Sequence, residues 1–195
     1  MGNREDLLAG AAQCLREKGW SRTTVRDIAA AAGVSHAAIG YHFGSRDALL
    51  TAAFVQAMED WGDQVRRAME AAQDTGSADA AVASWAEMVR SFREQRNLWL
   101  GSIDAFVQAE SAPELRRLLA DGQQEGRRGA AAGLFGVAES DIDDDSVRSV
   151  GSVQMALISG IAMQWLIDPE RAPSGQDVVT GLRRLVAAMD APGAG

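Results

Sequence analysis

Residues 23–50 read TTVRDIAAAAGVSHAAIGYHFGSRDALL, and the fold turns on how they are divided. Thr24 and Asp27 form a T-x-x-D pattern, an approximate capping box, and Val25, Ile28 and Ala29 give a short helix over about 24–31 its inward face. Gly33 breaks that helix. Ser35 offers the next N-cap, and the helix it opens has to stop near Phe43 and Gly44, because Ser45 is a fresh N-cap with Asp47 beside the following helix dipole. Ala29, Gly33 and Ile39 then have the spacing of a helix-turn-helix. A small residue lets the two helices approach, glycine permits the positive φ of a tight turn, and isoleucine plugs the joint from the second helix. The outer face of that second helix is left to enter a major groove, its N-terminal residues towards base edges.

Working outward, Leu8, Ala11, Ala12 and Leu15 fall at i, i+3, i+4 and i+7 ahead of Gly19, which predicts an amphipathic helix over about 3–18 with a glycine C-cap. From Ser45 the chain runs without proline to about Gln73, with Leu49, Ala52, Ala53, Val55, Met58, Trp61, Val65 and Met69 near helical spacing, so a single long helix is expected. DTGSAD is a break, followed by helical segments at about 77–94, 97–110 and 113–135, the last opened by Pro113. ESDIDDDS reads as a solvated linker; it lacks the glycine and terminal glutamate of a Ca²⁺ loop. A helix over about 145–167 carries the stripe Val147, Val150, Val153, Leu157, Ile158, Ile161 and Trp165, and another over about 175–189 carries Val178, Val179, Leu182, Leu185, Val186 and Met189. APGAG reads as a frayed end. The fold class is therefore all-α, with about nine helices.

Composition narrows the function. With 47% hydrophobic residues and few prolines the chain is globular and helical. The net charge of −8 argues against a protein that coats nucleic acid, but it is unevenly spread. Residues 1–50 hold Arg4, Arg16, Lys18, Arg22, Arg26 and Arg46 against Glu5, Asp6, Glu17, Asp27 and Asp47, a sum of +1 that leaves −9 on the remaining 145 residues. A slightly basic head on an acidic body meets phosphates with the head alone. Cys14 stands alone and fits a reducing compartment, the cytoplasm by default; with only Lys18 one turn on, it reads as a helix-packing residue. The first helix is charged from its start and has no apolar leader, and no run approaches the roughly 18 consecutive apolar residues of a membrane span. His36 and His42, six residues apart, do not share a helical face for a metal, and no cofactor motif is present.

Residues 23–50 resemble, almost throughout, the DNA-binding signature of the TetR family of transcriptional regulators. The turn, the Tyr41-His42-Phe43 triplet and the basic Arg46 at the start of the fourth helix carry the likeness; the remaining three quarters matches in helix pattern and length only. The resemblance implies a helix-turn-helix DNA-binding domain over 1–46 and a helical effector-binding and dimerisation domain over 47–195. It implies that Thr24 and Arg26 meet phosphate, that Ser35, His36, Ala37 and Ala38 face base edges and nearby backbone, and that Tyr41, His42 and Arg46 clamp phosphates. His36 is the one groove-facing side chain among these with a strong hydrogen-bonding ring, so base readout is expected to be sparse. Gly40 stands where many members have tyrosine. It is either drift, a packing necessity beside a bulky neighbour, or a device for close approach to DNA.

The resemblance also implies a homodimer on palindromic double-stranded operator DNA and a small-molecule effector, with repression the family's usual mode. Dimerisation follows from geometry as well, since one short helix reads few base pairs. The last two helices suit it, with broad apolar faces and Gly151, Ala156, Ser159 and Gly160 small enough for close contact. Trp61, Trp85, Met88, Phe92, Trp99, Ile103, Phe106, Val107, Met155 and Trp165 are dense enough in rings and aliphatic chains to line a pocket, or else are ordinary core. Asp104, inside the apolar LWLGSIDAFV, calls for either an internal arginine or a polar or cationic ligand, since an unpaired buried carboxylate is expensive. Ser102 and Gln108 are weaker candidates of the same kind. The rival readings are a constitutive DNA-binding regulator without inducer and an all-α enzyme or carrier. The second lacks paired carboxylates, an activated nucleophile or a phosphate loop.

Overall fold

The computed structural model describes residues 3–73 and 80–191, and within these the chain forms nine helices and no strand. They are α1 (Asn3–Lys18), α2 (Val25–Ala32), α3 (His36–Phe43), α4 (Arg46–Gln73), α5 (Ala80–Glu94), α6 (Arg96–Ala109), α7 (Pro113–Phe135), α8 (Asp144–Ile167) and α9 (Gly175–Asp190). The expected boundaries hold to within a few residues. The expected starting turn of the 77–94 helix and most of APGAG lie outside the described residues.

The chain divides into two compact units, Met1–Asp63 with Gln95–Arg127, and Gln64–Glu94 with Arg128–Gly195. In the first, Leu7, Ala11, Cys14 and Leu15 of α1 are buried with Ile28 and Ala29 of α2, Leu49, Leu50 and Phe54 of α4, and Leu98 and Trp99 of α6. The face of α1 is thus turned one residue from the expected one: Leu7 is fully buried and Leu8 half-buried, because 7, 11, 14 and 15 make an equally good helical stripe. Gly10, which no motif singles out, decides how close α2 comes. A Cβ there would meet the Ala32 backbone nitrogen at 2.9 Å and the Ile28 carbonyl oxygen at 3.1 Å. Burial pushes the Cys14 thiol pKa up, and the Asp27 charge adds to it, so Cys14 is an inert packing residue.

In the second unit, Met88, Val89 and Phe92 of α5 are buried with Ile158, Ile161 and Ala162 of α8 and Val178 and Val179 of α9. Gly175 lies against the backbone of Ala86, closer than a side chain would allow. The acidic stretch before α8 is more than a solvated linker. Asp143 caps α8 by accepting from the Ser146 N–H at 2.8 Å, Ile142 is buried with Ala131, Ala132 and Val147, and Arg128 donates to Asp144 at 3.0 Å and to the Ile142 carbonyl at 3.3 Å. Acidic residues at a helix N-terminus complete unpaired N–H groups and oppose the dipole.

The single stripe expected on α8 divides. Val147, Ile158 and Ile161 are buried while Val153 is 60% exposed. Steps of three residues fall about 60° short of a full turn each time, so Val153 lies about 120° round the helix from Val147. The turn at Val147–Gly151 is also a π-helix, which rotates the later turns of α8 relative to its first. The α8 helix is apolar on more than one side, and by length and composition it is the one described helix that could cross a membrane.

Candidate nucleic-acid interface

The head is held by short, local devices. Thr24 caps α2: its Oγ1 accepts from the Asp27 N–H at 3.2 Å, while the Asp27 carboxylate accepts from the Thr24 N–H at 2.8 Å and the Thr24 hydroxyl at 2.6 Å. Lys18 bonds the other oxygen of Asp27. The Lys18 contact, then the Thr24 hydroxyl, then the Thr24 N–H hold the Asp27 carboxyl well below the usual carboxylate range. Thr23, unmarked by any sequence pattern, is buried and donates to the Gly19 carbonyl at 2.8 Å, closing the end of α1. Its neighbour Thr24 carries the stronger local signal, the capping box.

Gly33, at φ +67°, turns the chain into α3. Ser35 stands at the N-cap of α3 as expected, but its side chain makes no capping bond; the Ser35 carbonyl receives the Ala38 N–H instead. Ile39 is the buried residue of α3. His36, Ala37, Gly40 and Tyr41 are exposed, at i, i+1, i+4 and i+5, so they share one side of the helix away from Ile39. At about 10–12 Å across with its side chains, an α-helix such as this fits the roughly 12 Å width of the major groove. Tyr41 is 86% exposed and meets the half-buried His42 edge to face at 4.9 Å. Arg26 is exposed and makes no ion pair among the described residues.

Gly40 has no packing reason beyond its own helix. Outside its two chain neighbours and the helix's own backbone, a Cβ built on it would meet no atom within 4 Å, so no other element packs against this position. Arg46 is placed differently from a free clamp: its Nε donates to the Thr23 carbonyl and a terminal nitrogen to the Trp20 carbonyl, both at 2.5 Å, and the other pairs with Asp47. It ties the start of α4 to the α1–α2 turn. Arg4, which no sequence motif marks, lies over the Phe43 ring at 5.2 Å and fixes the end of α3 against α1. Only contacts across the fold reveal either role.

The ligand candidates fall in both units. In the first, Trp61 and Trp99 are buried edge to face at 5.0 Å, Ile103 and Asp104 are half-buried, and Phe106 and Val107 are exposed. In the second, Met88 and Phe92 are buried, Trp85 and Met155 are half-buried, and Trp165 lies under the Arg93 guanidinium with its Nε1 donating to the Pro173 carbonyl. Clefts within the first unit include one of about 470 Å³ between α1 and α4 and one of about 240 Å³ between α6 and the α1–α2 turn, which takes in Ile103 and Asp104.

The family model for bacterial regulatory proteins of the tetR family matches residues 7–53, which take in α1, α2, α3 and the beginning of α4, and the tetracyclin repressor-like C-terminal domain matches residues 76–188. The chain belongs to the tetR family. It is 25% identical over 170 residues to the HTH-type transcriptional repressor KstR2 of Rhodococcus jostii (strain RHA1), covering 84% of this chain and 79% of that one. The multidrug binding protein EbrR, solved in complex with imidazole, superposes with a TM-score of 0.64 at 25% identity over 93% of this chain and 88% of EbrR. A transcriptional regulator from Rhodococcus sp. Rha1 shares the fold with a TM-score of 0.64 at 22% identity, over 92% and 94% of the two chains. As a tetR-family regulator, the chain has in α2 and α3 the family's DNA-binding helices.

Proposed function

We propose that this protein is a homodimeric repressor that reads a palindromic operator with α3 and leaves it when a hydrophobic or aromatic small molecule binds its helical body. The observation that carries the reading is the exposed stripe of His36, Ala37, Gly40 and Tyr41, fixed by the buried Ile39 on the other side of the same helix. Residues 1–46 form the reading part and 47–195 the responding and dimerising part. His36 reads base edges, with Ser35, Ala37 and Ala38 beside it against thymine methyls and backbone; Arg26, Tyr41 and His42 meet phosphates. Thr24 and Arg46 serve the interface by holding it in shape, given how their polar groups are used within the chain.

The dimer forms through α8 and α9. Val153, Met163 and Ile167 on the first and Leu185, Val186 and Met189 on the second are exposed, and Gly160 and Gly181 have open space where a Cβ would be. So much apolar surface on adjacent sequence elements marks an interaction site, and small residues let helices of two copies come close. This accounts for the apolar length of α8 without a membrane, and the protein works on DNA in the cytoplasm.

Repression is supported by the likeness to KstR2, and effector binding by the likeness to EbrR, whose structure holds imidazole. Trp61, Trp85, Met88, Phe92, Trp99, Ile103, Asp104, Phe106, Val107, Met155 and Trp165 are the candidates to meet the effector. The burial of Met88, Phe92 and Trp99 favours the alternative of a constitutive regulator, in which these are core alone. An effector acts only through unequal affinity for the two states of the dimer. A gel-shift series with DNA flanking the protein's own gene, with and without aromatic and acyl compounds, tests the proposal. Retention of a palindromic fragment at physiological salt and its release by such a compound are expected; retention that no compound relieves leaves the constitutive reading, and no retention overturns both.

A further inference from the structure

The cleft between α6 and the α1–α2 turn carries an observation that DNA reading does not use. Asp104, in the middle of α6, is half-buried and has no hydrogen bond or ion pair among the described residues. No arginine among the described residues answers its charge. The carboxylate faces Gly19 at 4.0 Å from where a Cβ would stand, at the wall of a cleft of about 240 Å³. A half-buried carboxylate with apolar neighbours, here Leu100 and Ile103, favours a cation more than an exposed one does, because less water screens it.

The opposite wall supplies the complementary charge. Lys18 is already held by Asp27, but Arg22 spends only its Nε, on the Lys18 carbonyl at 2.8 Å, and its terminal nitrogens make no bond among the described residues. Ser21 adds a hydroxyl, and Asn97, which donates its amide nitrogen to the Arg16 carbonyl, keeps its amide oxygen as an acceptor. One small space is therefore lined by a free carboxylate and amide oxygen, by a free guanidinium edge and hydroxyl, and by two aliphatic side chains. Its volume is below the roughly 300–1,000 Å³ of pockets for drug-sized ligands. We propose that this cleft binds a small zwitterion, an amino acid or short amino-carboxylate, its ammonium on Asp104 and Asn97 and its carboxylate on Arg22 and Ser21.

Calorimetric titration of the full chain with glycine, β-alanine and γ-aminobutyrate tests the proposal, with butylammonium and butyrate as single-charge controls. At least one of the zwitterions binds tenfold more tightly than both controls. Asp104→Asn, nearly the same shape without the charge, weakens that binding at least tenfold, and Arg22→Gln does so as well. Ser21→Phe, on the exposed rim, closes the cleft without touching Asp104 and abolishes it, which keeps the test decisive if Asp104→Asn folds poorly. Binding of butylammonium or butyrate as tight as that of the best zwitterion, binding indifferent to Asp104→Asn and Ser21→Phe, or no binding at all overturns the site. The site does not rest on operator reading, although it takes Ile103 and Asp104 from among the effector candidates: a chain that holds its operator but no zwitterion lacks only the site, and one that binds the zwitterion but no operator loses only the regulatory proposal.

Discussion

Glycine inside an exposed helix costs about 1 kcal/mol relative to alanine, and at position 40 no contact with another element repays it, since beyond its chain neighbours and its own helix backbone nothing lies within 4 Å of a Cβ built there. Gly40→Ala therefore stabilises the protein by about 1 kcal/mol in urea unfolding. On the proposed reading it also weakens operator binding, because the added methyl stands on the side of α3 that approaches the groove; unchanged affinity would leave the glycine without a DNA role. Arg46 tests the opposite relation between structure and binding. Its bonds to the Trp20 and Thr23 carbonyls make it a brace, so Arg46→Ala lowers stability and operator affinity together. A brace leaves the slope of log K against log [salt] unchanged, whereas a lost phosphate contact reduces it by about 1, and the salt series separates the two.

At the scale of elements, the α1–α2 corner is set by one missing Cβ and one cap. Gly10→Ala forces a methyl against the Ala32 nitrogen and the Ile28 carbonyl, backbone atoms that do not yield as a flexible side chain would, and destabilises by about 1–3 kcal/mol by thermal or urea unfolding. The cap gives the corner a pH dependence. Asp27 has its carboxyl pKa lowered in the folded chain by Lys18 and Thr24, so its stabilisation is complete above the ordinary carboxylate value near 4 and is lost as the pH falls through the folded one. Asp27→Asn is accordingly less stable than the parent at pH 7, and the gap between them narrows below about pH 4. Unfolding curves whose separation is the same at pH 7 and pH 3 would remove Asp27 from that role. The Thr24 cap was legible because capping is a contact between residues three apart. Gly10, Arg4 and Arg46 were not legible as packing or bracing residues, since their partners lie at Ala32, Phe43 and Trp20, distant in the chain and unmarked by any local pattern.

For the whole molecule, the exposed apolar residues of α8 and α9 put the dimer within reach of a simple measurement. Leu185→Glu combined with Met189→Glu places two charges where 60% and 83% of the side chains' surfaces are exposed in the single chain, so the fold of one copy survives. The variant sediments as a monomer and loses operator affinity, while an unchanged dimer would move the interface elsewhere. Sequence alone determined the helices, their ends and the helix-turn-helix, because periodicity, caps and turn glycines act over a few residues and leave a local record. It also singled out Asp104 as a charge in need of an answer. What only the tertiary structure decided is where side chains go once helices pack: that Arg46 turns inward to carbonyls, that Phe106 and Val107 face out while Trp99 faces in, that α8 has two apolar sides, and that Asp104 meets no arginine among the described residues. Such outcomes depend on residues far apart in the chain competing for the same space, and no short stretch of sequence contains both competitors.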